Sequence, residues 1–124
     1  MYYAEVAVRL EWFVRVLDGV EDLSKLPDSI YNAMAEVTSA QADAMLDAAA
    51  SLRQINTAII LARFVQQVAE GEREHLRSRI DMLDERNNFD ESEIFRLRER
   101  LDRIPDVCPD KIADAHKRLD AFGN

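Results

Sequence analysis

Between Asp28 and Asn88 the chain holds no proline and a single glycine, Gly71. Apolar residues recur there at helical spacing, and a lone helix is marginal in water, so such a segment needs a surface to pack against. Three glycines and three prolines in 124 residues leave few turns for a many-stranded sheet. The expected architecture is all-α: a single-domain bundle of four or five helices over residues 1–124. Within it we expect a long central helix and a charged C-terminal helical hairpin over about 71–104. A bend or break of the long segment is expected near Ser39 or Gly71.

Residues 2–17 carry two competing patterns. Tyr3, Val6, Leu10, Phe13, Leu17 and Val20 step by three and four, the seam of a helix, and Glu5–Arg9 and Glu11–Arg15 then stand at i, i+4 as ion pairs. Ala4, Val6, Val8, Leu10, Trp12, Val14 and Val16 also alternate at period two, as a strand would. No second segment offers a pairing strand within the chain, so the reading is a helix, with a strand pairing across a dimer as the alternative. Val8, Trp12 and Val16 exceed what one seam needs, so something beyond a single helix packs there; Tyr2, Tyr3, Trp12 and Phe13 cluster as interface anchors do, with core packing the plainer reading of Phe13.

Asp18-Gly19 ends this segment, and Pro27-Asp28-Ser29 opens the next, with Asp28 or Ser29 placed to cap free amides. From there a thin seam runs through Ile30, Met34, Val37, Gln41, Ala44 and Ala48. Residues 55–65, Ile-Asn-Thr-Ala-Ile-Ile-Leu-Ala-Arg-Phe-Val, are apolar around most of a helix, the pattern of a core centre or an oligomer interface. After Gly71, eleven acids and eight bases fall between Glu70 and Arg103, around narrow seams of Leu76, Ile80, Leu83 and of Ile94, Leu97, Leu101, Ile104. Asn87-Asn88 fits a helix stop, and Asp90 with Glu93 a capping box. Pro105 and Pro109 force a break before a last helix with Ile112, Ala115, Leu119 and Phe122 on one side.

Charge excludes more than it identifies. A net charge of −8 opposes binding to a phosphate backbone, and the arginines Arg96, Arg98, Arg100 and Arg103 are interleaved with Glu93, Glu99 and Asp102 as intrahelical pairs. From Asp18 to Leu52 there are seven acids and one base, Lys25, which reads as a solvated face or as a docking surface for a cationic partner. One cysteine, Cys108, allows no internal disulfide and suits a reducing, cytoplasmic setting. Glu5, Arg9, Glu11 and Arg15 interrupt the first residues as a secretory signal, and Arg63, Gln66 and Gln67 interrupt the best candidate membrane span.

Catalytic signatures are lacking: no nucleophile elbow, no phosphate-cradling glycine loop, no Cys-x-x-Cys. Cys108, beside Asp106 and Asp110, reads as a small apolar plug, and His116 as a half-buried histidine with a hydrogen-bond partner. Glu72-Arg-Glu-His75 sets a carboxylate and an imidazole one helical turn apart. The run Val-Ala-Glu-Gly-Glu-Arg-Glu-His-Leu around it resembles the Glu-x-x-His motif of ferritin-like proteins over about ten residues. That resemblance implies iron or manganese held by Glu72 and His75, with Glu36 or a symmetry copy completing the set. No second motif is present, and a solvated His75 is the plainer reading.

The function expected from these features is non-enzymatic and needs no cofactor: an acidic helical protein that binds a partner macromolecule. An inhibitor, immunity or anti-defence protein would cover a basic surface with Asp18, Glu21, Asp22, Glu36, Asp43 and Asp47. The alternative is a self-associating structural or assembly component, a homodimer or larger, joined through Trp12, Phe13, Ile59, Phe64 and Val65. A ferritin-like metal site at an oligomer interface, on Glu72 and His75, is the third reading.

Overall fold

The computed structural model describes residues 2–20, 22–85 and 91–122. Among the described residues the chain is all-helical and has no strand. The elements are α1 (Tyr2–Leu17), a short 3-10 turn (Leu23–Lys25), α2 (Asp28–Ala35), α3 (Ser39–Ala48), α4 (Leu52–Glu85), α5 (Glu91–Arg103) and α6 (Pro109–Phe122). The chain divides into two compact units, one of Met1–Gln66 with Val107–Asn124 and one of Gln67–Asp106. The Asn87-Asn88 stop, Asp90 of the expected capping box, Glu21, and the side chains of Tyr2 and Tyr3 lie outside the described residues.

The first segment is a helix. Val6, Leu10, Phe13 and Leu17 are buried along one stripe, whereas Val8, which a strand would set on the same face as Val6 and Leu10, is 68% exposed. Gly19, at φ +75°, takes the left-handed turn that ends α1, a conformation side chains resist. The expected i, i+4 ion pairs do not form. Arg9 turns instead to Glu36, 3.5 Å away, and Glu11 accepts from the Gln54 side-chain amide, because both partners stand beside α1 in the folded unit.

The long proline-free stretch is three helices, with two breaks where the sequence pattern predicts one bend or break near Ser39 or Gly71. Its first break, at Val37-Thr38, falls next to Ser39; the second, at Ala49–Ser51, was not anticipated. Both restarts are built by capping boxes. The Thr38 hydroxyl accepts from the Gln41 amide at 3.1 Å while the Gln41 side chain accepts from the Thr38 amide at 3.0 Å. Ser51 and Gln54 repeat the exchange, and the Gln54 side chain also accepts from the Ala50 amide. At Gly71 no break occurs, because one interior glycine costs a helix only about 1 kcal/mol. The restart at Thr38 also rephases the thin seam: Ala42, Ala44, Met45 and Leu46 are buried in α3, and Ala48 is exposed. Pro27, and not Asp28 or Ser29, occupies the cap position of α2, with no side-chain cap; Asp28 sits in the first turn, where its charge favours the helix dipole.

In the first unit, Ile55, Ala58, Ile59, Leu61 and Ala62 of α4 join the buried faces of α1, α2, α3 and α6 in one apolar cluster. Phe13, Leu10, Met34, Met45, Ile55, Leu61 and Val107 are its largest fully buried side chains. Polar side chains pin the extended connector that follows Pro105. The Val107 amide donates to Gln66 at 3.0 Å and the Cys108 amide to the Asp43 carboxylate at 2.9 Å. Arg118 of α6 donates to the carbonyls of Leu46 and Ala49, groups that the end of α3 leaves unsatisfied.

The second unit has its own cluster, Leu76 and Ile80 of α4 with Ile94 and Leu97 of α5. Arg73 is buried beside it. Its guanidinium reaches Glu70 at 2.5 Å, Asp106 at 2.6 Å and the Ile104 carbonyl at 2.9 Å. Asp106 foremost, with Glu70, holds the guanidinium above the usual arginine range.

Two substitutions test this account by denaturant titration. Nothing lies within 4 Å of a methyl group built on Gly71, so Gly71→Ala is expected to stabilise the chain by about 0.5–1 kcal/mol. Phe13→Ala, in the centre of the first core, is expected to cost about 3–5 kcal/mol.

Candidate functional site

A concavity of the first unit, about 950 Å³, lies beside α1, with α2 and α3 forming its other wall and floor. Val8 and Trp12 of α1 line it, over Ala33 of α2 and the buried Met45 of α3. Trp12 keeps 38% of its surface exposed and rests edge-on against Phe13, the ring centroids 5.0 Å apart at 76°. The Phe13 ring, wholly buried, fixes the indole from below. Charges of both signs rim the groove: Glu5, Arg9 and Arg15 from α1, and Glu36 after α2. Arg9 and Glu36 pair across it, whereas Glu5 and Arg15 have no ion-pair partner among the described residues. The groove thus joins an apolar strip, Val8 and Trp12, to charged flanks.

The acids expected to bind a partner are scattered. Asp22 caps the 3-10 turn, accepting from the Ser24 hydroxyl at 2.6 Å and the Ser24 amide at 2.9 Å, which holds its carboxyl below the usual range. Asp43 holds the Cys108 amide, and Asp47 holds the Lys111 ammonium at 2.5 Å. Asp18 stands 3.7 Å from Arg53 and Glu36 pairs with Arg9. Much of this negative charge is therefore engaged in holding the fold together.

Of the residues expected at a self-association surface, Phe13 and Ile59 are buried in the chain's own core, where their apolar side chains fill the first unit. Phe64 and Val65 are half-buried against the same core, and Trp12 is exposed. Glu72 and His75 are both exposed on α4, and no third His, Cys, Asp or Glu joins them in a metal-holding group among the described residues. His116 is half-buried and its Nε2 lies 2.9 Å from an Arg63 nitrogen. Arginine can only donate, so Nε2 accepts and the ring proton sits on Nδ1. Cys108 is a half-buried thiol.

In the sequence the groove is signalled only by the second apolar stripe on α1, Val8 and Trp12; its other wall depends on the placement of α2 and α3, which local pattern does not specify.

The Lys111–Asp47 pair gives a measurable signature. Asp47 above all raises the Lys111 pKa over its ordinary 10.5, so the pair supports the fold below that value and fades as pH rises through the raised one. Asp47→Asn is expected to return the Lys111 titration toward 10.5, read by NMR at the ammonium nitrogen.

Among the described residues no helix is long and apolar enough to cross a membrane. Comparison with protein-family models, with characterised proteins and with solved structures finds no match to this chain.

Proposed function

We propose that this protein performs no bond chemistry and works by binding another protein chain through the outward face of α1 and the groove beside it. Exposed Val8 and Trp12, set on a rigid helix above a packed floor, carry the reading. Aromatic anchors at the edge of a groove are the usual source of binding energy in protein recognition, and flanking charges set register and partner choice. The net charge of −8 adds long-range attraction for a basic partner, as an inhibitor, immunity or anti-defence protein would use. With Asp22, Asp43 and Asp47 engaged internally, the apolar strip supplies contact and the acidic field supplies steering. On this reading residues 1–124 act as one helical domain with a charged hairpin over about 71–104, in a reducing, cytoplasmic setting.

A self-associating assembly role is the second reading, favoured by the exposure of Val8 and Trp12 side by side on α1. Both are tested by a photo-crosslinking side chain placed at position 8, with position 117 on α6 as the control, in cells producing the full chain. Adducts to protein at position 8 and not at 117 are expected. Equal labelling at the two positions, or none at 8, removes the proposal.

A further inference from the structure

We infer that the second unit carries a binding surface of its own, an arginine stripe on α5 that takes an acidic amphipathic helix of another protein. The surface lies within Gln67–Asp106 and does not depend on the groove beside α1. Arg96, Arg100 and Arg103 stand at i, i+4 and i+7, so they share one side of α5, and all three are exposed. Arg98, two residues from both Arg96 and Arg100, falls on the opposite side of the same helix.

Two observations fix which flank of the helix pair the stripe occupies. Arg79 of α4 reaches Glu93 of α5 at 3.5 Å. A concavity of about 260 Å³ then brings Arg100 and Arg103 together with Glu72 and Leu76 of α4 and with Ile104 and Pro105. The stripe is unpaired there. The intrahelical pairs expected with Glu93, Glu99 and Asp102 do not form among the described residues, where Glu93 turns to Arg79 and Arg96, Arg100 and Arg103 have no ion-pair partner. Arg100 and Arg103 suit the C-terminal end of the α5 dipole. Arg96 stands at mid-helix, where that attraction has faded, so the dipole does not account for the stripe as a whole.

Three guanidiniums one helical turn apart match carboxylates at the same spacing on a helix laid alongside, and a guanidinium can meet a carboxylate with two parallel N–H donors. The concavity adds aliphatic surface to this charge. Leu76 is buried, Ile104 half-buried and Pro105 exposed, which together form a seat for an apolar side chain. A phosphate backbone offers no such side chain, and Glu72 in the concavity and the net charge of −8 both repel it. The occupant that fits is therefore a helix with carboxylates at i, i+4 and i+7 and an apolar residue beside them.

NMR titration of the full chain, read at the arginine Nε–H groups, tests this with two capped alanine-based helical peptides that each carry one leucine. One bears glutamates at i, i+4 and i+7, the other lysines at the same positions. Saturable shifts at Arg96, Arg100 and Arg103 are expected with the glutamate peptide and not with the lysine peptide. Arg100→Glu combined with Arg103→Glu is expected to weaken binding at least about ten-fold. Arg77→Glu combined with Arg98→Glu changes the total charge equally on the opposite flank, and is expected to leave the affinity within about two-fold. Should the first pair lose its helical circular dichroism, Arg100→Gln with Arg103→Gln takes its place, with a loss of at least about three-fold expected. No saturable shift with the glutamate peptide, equal weakening by the two flanks, or tighter binding of a single-stranded oligouridine overturns the inference. Shifts at these arginines that grow with protein concentration alone place a second copy there and overturn it too.

Discussion

A helical segment that is apolar around most of its circumference has to be covered from several sides, and residues 55–62 of α4 impose that demand on the first unit. Ile55, Ala58, Leu61 and Ala62 are all fully buried. One neighbouring helix covers a stripe, not a cylinder. The chain meets the demand by placing the buried faces of α1, α2 and α3 in one cluster with α4, and by bringing α6 back to it from the far end of the sequence. The small residues of α3, Ala42 and Ala44, suit this arrangement because they let neighbouring backbones come close while Met45 and Leu46 supply volume.

Covering α4 with a segment that returns through an extended connector leaves backbone groups that no helix satisfies. Side chains close that account one by one. Gln66 and Asp43 accept from the amides of Val107 and Cys108; Arg118 donates to the last carbonyls of α3; Arg73 donates to the carbonyl of Ile104. No buried side-chain polar atom is left without a partner among the described residues. These contacts alter how the charge of the chain should be understood. An acid that caps a turn or holds an amide keeps its long-range field but loses the freedom to meet a partner's cation directly.

The sequence carried the helical class, the buried seam of α1, the apolar core at residues 55–65 and the break at Pro105–Pro109, because these depend on periodicity and on proline, which act locally. Two further signals were there to be used. Thr38-x-x-Gln41 and Ser51-x-x-Gln54 are both capping boxes, and together they divide the long stretch where it actually breaks. What local pattern could not supply was pairing at a distance: Arg9 with Glu36, Asp43 with Cys108, Arg73 with Asp106. Such partners are separated by tens of residues and are chosen by the fold. For the same reason the division of acids between structural and free roles was not legible, nor was the groove wall contributed by α2 and α3.

The ambiguity of the first segment has a physical meaning. Period-two and period-3.6 patterns coincide there because α1 carries apolar residues on two faces, one buried in the first unit and one turned outward. Val8 and Trp12 are exposed, Trp12 resting edge-on against the buried Phe13, while Val6, Leu10 and Phe13 fill the core. The same double pattern that fits both helix and strand thus leaves α1 with one apolar face in the core and one outside it.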